Sequence, residues 1–134
     1  MNGNQGKFYF ELETCRKFLL VTEWQEMKQT AESDWKKFKQ VRELALQRYC
    51  ERVLLDLQAI SSDTRKSANE RYLEIFKLID DRNENLAYMF DNPRRSCAEY
   101  QLAAMYSHEI VTAEEIAGFG EEIRNRLLRR LLRL

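Results

Sequence analysis

Glycine is almost missing from this chain. Its four copies are Gly3, Gly6, Gly118 and Gly120, so residues 7–117 contain none, and Pro93 is the only proline. Tight hairpin turns need residues that accept positive φ, and glycine does so at the least steric cost. A β-rich fold would need several such turns, whereas helices joined by short polar links need few. The same gap excludes phosphate loops and dinucleotide fingerprints, whose closely spaced glycines let backbone amides approach phosphate. Gly118 and Gly120 cannot supply the rest of either motif.

Other absences narrow the function. His108 is the only histidine, and no CxxC, HxxxH or ExxH spacing occurs. The usual helical metal-binding patterns are therefore missing, and neither a metal nor another cofactor is expected. His108 reads as a turn residue between two capped helices. The three cysteines, Cys15, Cys50 and Cys97, are odd in number and widely spaced, which points to a reducing compartment rather than a disulfide framework. Cys15 and Cys50 fall on apolar stripes. Cys97 would stand at a helix start if Ser96 caps it, where free amides lower a thiol pKa. No run approaches the ~20 apolar residues that span a bilayer. "MNGNQGKFYF" has no basic region followed by a long apolar run, so no secretory signal is expected and the expected location is the cytoplasm. The formal net charge is zero, so any preference for nucleic acid or anionic membrane must be local.

What remains is helical. Residues 1–6 are small and polar and read as a disordered N-terminus, leaving 7–134 as a single helical domain. Phe8, Leu12, Cys15 and Leu19 follow a helical stripe, but Phe8, Phe10 and Leu12 also alternate as in a strand. A helix over about 8–29 is the expectation, with a short β-hairpin as the alternative. "SDWKKFKQVRELALQRYCERVLLDLQAISS" follows, with Ser33 or Asp34 as N-cap. Trp35, Phe38, Val41, Ala45, Tyr49, Val53 and Leu57 form its stripe, which Leu44, Leu46, Cys50, Leu54 and Leu55 widen. A third helix starts at Ser62 or Asp63 and turns Ala68, Tyr72, Ile75, Phe76 and Ile79 inward, stopping at "DNP". Pro93 or the capping box Ser96–Glu99 opens a short helix through Leu102, Met105 and Tyr106. Thr112 and Glu115 form a second capping box, flanked by Val111 and Ile116 at hydrophobic-staple positions. That last helix runs to the C-terminus, with a break or kink at "GFG". The expected fold is all-α, an irregular bundle of four to six helices. An α+β fold with the N-terminal hairpin is the alternative.

"WKKFKQVR" mixes aromatic and basic residues, as single-strand nucleic-acid binders do. On a helix, Trp35 and Phe38 join the apolar stripe while the lysines mostly point elsewhere, so a solvated face beside core is the simpler account. Glu114, Glu115, Glu121 and Glu122 sit near the start of the last helix, where acid opposes the positive dipole end, and no catalytic pair is assigned.

"YQLAAMYSHEIVTAEEIAGFGEEIRNRLL", residues 100–128, resembles the short C-terminal helical hairpin called SHOCT through its "IVTAEE" start. That family's usual glycine before the start is replaced here by His108 and Glu109. The resemblance implies a small oligomerisation element.

The tail "RNRLLRRLLRL" carries five arginines, five leucines and no acid. Ile123, Leu127, Leu128, Leu131, Leu132 and Leu134 fill about half the circumference at 100° per residue. Arg126, Arg129, Arg130 and Arg133 fill the other half. From Ser96 to Ile123 there are six glutamates and no lysine or arginine. Negative first and positive last complements a helix's own dipole and supports antiparallel pairing. The expectation is a non-enzymatic interaction or regulatory module, a homodimer or a binder of another helical protein. Its contact residues would be Ile123, Arg126, Leu127, Leu128, Arg129, Arg130, Leu131, Leu132 and Arg133. The alternative is a small regulator whose arginine-rich tail holds nucleic acid or an anionic membrane surface. The near-by glutamates and the tail's lack of an aromatic disfavour it.

Overall fold

The computed structural model describes residues 31–133, which form five helices and no strand. They are α1 (Glu32–Ser61), α2 (Ala68–Phe90), α3 (Ala98–Ser107), α4 (Ala113–Ala117) and α5 (Glu121–Leu131). The all-α class is as expected from the glycine gap. The region expected as helix or hairpin over 8–29 lies outside the described residues, as does the terminal segment 1–6.

α1 and α2 form a long antiparallel pair, and α3 packs against α1, α2 and α5. The core collects at one end of that pair. Phe38, Val41, Ala45 and Tyr49 of α1 meet Met89 and Phe90 at the end of α2, with Leu102 and Met105 of α3 and Ile123 and Leu127 of α5. The Tyr49 and Phe90 rings lie 6.1 Å apart. Trp35, stacked on Phe38 at 5.4 Å, packs at the edge of this core as a partly buried residue, so the "WKKF" aromatics serve the fold.

Beyond this body the α1–α2 pair continues as an arm. No residue between Cys50 and Tyr88 is fully buried. Here the sequence expectation fails in a specific way. Tyr72, Phe76 and Ile79 do not face inward but are exposed, and of the expected stripe only Ile75 is half-buried. Leu44, Leu54 and Leu55, expected to widen the α1 stripe, are exposed as well. The physical reason is that the arm is two helices thick among the described residues. Each helix can hide only the strip that faces the other. Polar links hold the arm: Arg82 reaches Asp56 at 3.3 Å, the Tyr49 hydroxyl donates to the Arg82 carbonyl at 3.0 Å, and Arg71 donates to the Ser61 carbonyl at 2.6 Å.

Three helix starts differ from expectation. α1 is preceded by Ala31 without any side-chain cap, so neither Ser33 nor Asp34 caps it. Asp34 is instead inside the first turn, where its carboxylate accepts from the Gly120 amide at 2.9 Å. α2 begins not at Ser62 or Asp63 but after Ser67, which forms a full capping box with Glu70. Ser62 ends α1, and Asp63 is engaged by Arg65. α3 begins after Cys97, without the Ser96–Glu99 box and without Pro93 in its first turn. Glu99 is drawn away by Arg130 of α5, whose Nε donates at 2.8 Å. A charged partner across the fold outcompetes a local amide.

The Thr112–Glu115 capping box forms as expected, with Val111 buried and Ile116 packed against the core. The chain breaks at "GFG", separating α4 from α5. Phe119 is buried there, and the glycines admit α1 closely. A Cβ on Gly118 would stand 2.6 Å from Lys37 Nζ, and one on Gly120 would stand 2.9 Å from the Asp34 carboxylate.

Candidate interaction surfaces

The tail was the expected contact surface, and the structure divides it. Ile123 and Leu127 are buried in the core of the chain itself, and Leu131 packs against that core. Arg126 and Arg130 converge on Glu99 of α3 at 3.7 and 2.8 Å. Arg126 also pairs with Glu122, one turn back on its own helix, and Arg130 lies over the Tyr100 ring. These five residues serve internal packing because α5 lies along α3. Leu128, 57% exposed, and Leu132, 79% exposed, remain outward together with Arg129 and Arg133. The negative-then-positive pattern therefore works inside one chain: Glu99 of α3 receives the arginines of α5.

A group of arginines on α1 ties it to the small helices, and sequence reading assigned them no role. Arg48 makes a bidentate pair with Glu115 at 2.8 and 2.9 Å and donates to the Ile110 carbonyl at 3.0 Å. This hydrogen-bonded guanidinium holds the Glu115 carboxyl below the usual carboxylate range, and Glu115 raises the Arg48 pKa in return. Arg52 donates to the carbonyls of His108 and Glu109 at 2.8 and 3.2 Å. Cations at a helix C-terminus complement its dipole and free carbonyls.

That C-terminus is a Schellman turn. The Ile110 amide donates to the Met105 carbonyl, and the Glu109 amide to the Tyr106 carbonyl. Glu109 takes φ 58°, the left-handed position where glycine is favoured. His108 ends α3, with Nδ1 2.9 Å from the Ala104 carbonyl, so it is a turn histidine. Cys97 is half-buried immediately before α3, and Cys50 is half-buried on α1. Among the described residues, no group of three or more His, Cys, Asp or Glu could hold a metal ion. Nor is any described helix long and apolar enough to cross a membrane.

The second surface is the arm. Leu54 is 62% exposed, Tyr72 67%, Phe76 64% and Ile79 40%. At 100° per residue, Tyr72, Phe76 and Ile79 fall within about 60° of one another on α2. Tyr88, whose ring meets Tyr100 of α3 at 5.0 Å, marks the side of α2 that faces the body. It is about 120–180° from the stripe by the same rotation. On α1, Arg52 marks the body-facing side, and Leu54 is about 160° from it. Both helices thus leave large apolar side chains exposed, and on α2 the same line runs on to Leu86 and Phe90, which lie within about 40° of Tyr72 by that rotation and pack into the core. Leu44, Leu55 and Leu73 are exposed elsewhere on the pair, and isolated surface leucines are ordinary.

No family model, curated protein or solved structure matches the chain. The likeness to the SHOCT hairpin rests on the "IVTAEE" helix start alone, and the fold and its surfaces carry the functional reading.

Proposed function

We propose that this protein is a non-enzymatic helical interaction module of the cytoplasm that self-associates as a homodimer. The surface through which it does so is the bare face of the arm, centred on Tyr72, Phe76 and Ile79 with Leu54 beside them. The tail contributes to the fold first, because its inward residues and two of its arginines are already engaged. One observation carries the reading: four large apolar side chains share one side of a two-helix arm and are each between 40% and 67% exposed. Together they leave water-facing area on the order of 400–500 Å², the size of the largest apolar patch on a typical monomer, and such patches are often functional.

The test is solution mass by light scattering across a concentration series of the full chain. The wild type should approach twice 16.1 kDa. Phe76→Glu should return it to monomer while leaving its melting temperature at monomer-level concentration nearly unchanged, since the side chain is exposed among the described residues. A wild-type monomer at every concentration would overturn the reading, as would an undiminished dimer in Phe76→Glu. If Leu128→Glu with Leu132→Glu dissolves the dimer while Phe76→Glu does not, the contact belongs to the tail.

A further inference from the structure

We propose that the inner half of the arm's exposed face is the docking site of the chain's own residues 8–29, folded back along α1 and α2 as a third helix. That segment lies outside the described residues and joins α1 at its start, beside the core. The inference goes beyond self-association and narrows its contact to Tyr72 and Phe76.

Continuity gives the first reason. The line of Tyr72, Phe76 and Ile79 on α2 runs on through Leu86 to Phe90, and these last two pack into the core. A line covered at the body end and bare towards the tip fits an occupant that enters from the body. On α1, Lys36, Lys39, Cys50 and Leu54 lie within about 60° of one another and 120–180° from Arg48 at 100° per residue. Arg48 marks the side of α1 that meets α4, through Glu115. Cys50 is half-buried and Leu54 62% exposed, so apolar surface borders the α2 line from this helix too.

Length gives the second. A helix over 8–29 is about 32 Å long, and Leu54 stands about 33 Å along α1 from Glu32. Folding back at 30–31 brings Phe8 about level with Val53 and Leu54. Arg82 is tied to both Tyr49 and Asp56, which sets Ile79, three residues nearer the tip, about level with Leu54. Phe8 thus reaches Leu54 and Ile79. Tyr72 lies about 10 Å farther out, beyond the end of the segment.

Register gives the third. Phe8, Leu12, Cys15 and Leu19 share one side of such a helix to within about 60°. In this alignment Cys15 stands within about 6 Å of the level of Cys50. Glu26 and Glu23 come level with Lys36 and Lys39, both exposed, so acid meets base along the rim. A helix antiparallel to α1 also aligns the two dipoles favourably. The short link at 30–31 holds the segment at an effective concentration on the order of millimolar, which favours it over a separate partner.

The experiment uses the full-length chain with Cys97→Ser, leaving Cys15 and Cys50. Protein grown in light and in heavy nitrogen is mixed, treated with a short bis-maleimide and mapped by peptide mass. Cys15–Cys50 linkage within single chains is expected. Leu12→Glu should lower its yield several-fold and speed single-maleimide labelling of Cys50 several-fold, while Glu13→Lys, on the far side of the segment, changes neither. Linkage between heavy and light chains would overturn the docking, as would no linkage while both thiols take up single maleimides. An unchanged yield in Leu12→Glu would overturn it as well. The solution mass of Phe76→Glu is read separately, so this inference and the self-association reading can each fail alone.

Discussion

Leu127 and Leu128 are neighbours in sequence and opposites in structure, and their alanine variants should separate cleanly. Leu127 is 2% exposed within the core that joins α5 to α3. Leu127→Ala removes three carbon groups, worth about 0.8 kcal/mol each, or about 2.4 kcal/mol of transfer free energy. The cavity left behind adds to this, bringing the loss to about 3 kcal/mol, within the range for buried leucines. For a chain of this length, about 4 °C of melting temperature per kcal/mol gives a fall of about 12 °C. Leu128→Ala, by contrast, should stay within about 0.5 kcal/mol of wild type, as exposed substitutions do. The assay is urea and thermal unfolding followed by helical circular dichroism, at a concentration low enough to keep any association constant. Equal losses in the two variants would refute the placement of α5. So would a silent Leu127→Ala, which would return both leucines to an external partner.

The remaining predictions concern the polar ties. Glu115 has a folded-state pKa below its unfolded value, so its pairing with Arg48 stabilises the protein above about pH 4.3 and is lost as pH falls through the lower folded value. Melting temperature should therefore drop over that acid range, and Glu115→Gln should be less stable near neutrality with a shallower acid slope, as read from thermal scans at several pH values. Ser67→Ala should cost about 1 kcal/mol in urea unfolding through loss of the capping box, while Ser62→Ala costs less. Asp34→Ala should cost about 1 kcal/mol by removing the acceptor of the Gly120 amide at the start of α5. Glu109→Gly should raise stability, by up to about 1 kcal/mol, because it relieves the left-handed backbone at the Schellman turn without removing a side-chain contact the turn requires.

Much of the fold is legible from local rules, and two of its failures share a cause. The glycine gap between residues 7 and 117 predicts helices, and the described chain is helical. Thr112 and Glu115 predict a helix start because both partners of that cap are three residues apart, and the cap forms. Ser96 and Glu99 have the same spacing, yet no cap forms, because Arg130 claims Glu99 from 31 residues away. Asp34 has the chemistry of an N-cap and spends it on α5 rather than on α1. At both of these starts a long-range charged or polar partner engages the residue expected to cap, and periodicity carries no record of such partners; at α2 the choice is local, Ser67 with Glu70 rather than Ser62 or Asp63.

The arm is a failure of another kind. Tyr72, Phe76 and Ile79 have the right spacing to face a core, but spacing states only that a face is apolar, not what covers it. Within the described residues the core ends near Cys50, and the face continues past it on both helices. Large apolar residues thus repeat beyond the reach of the described core. The tail's leucines point the other way: Ile123 and Leu127 looked like an offer to a partner and are consumed within the chain. The amphipathic pattern was equally clear in both segments. Only the packing of α5 on α3, with Glu99 held by two arginines, distinguishes the tail side chains that are buried from the arm side chains left exposed among the described residues.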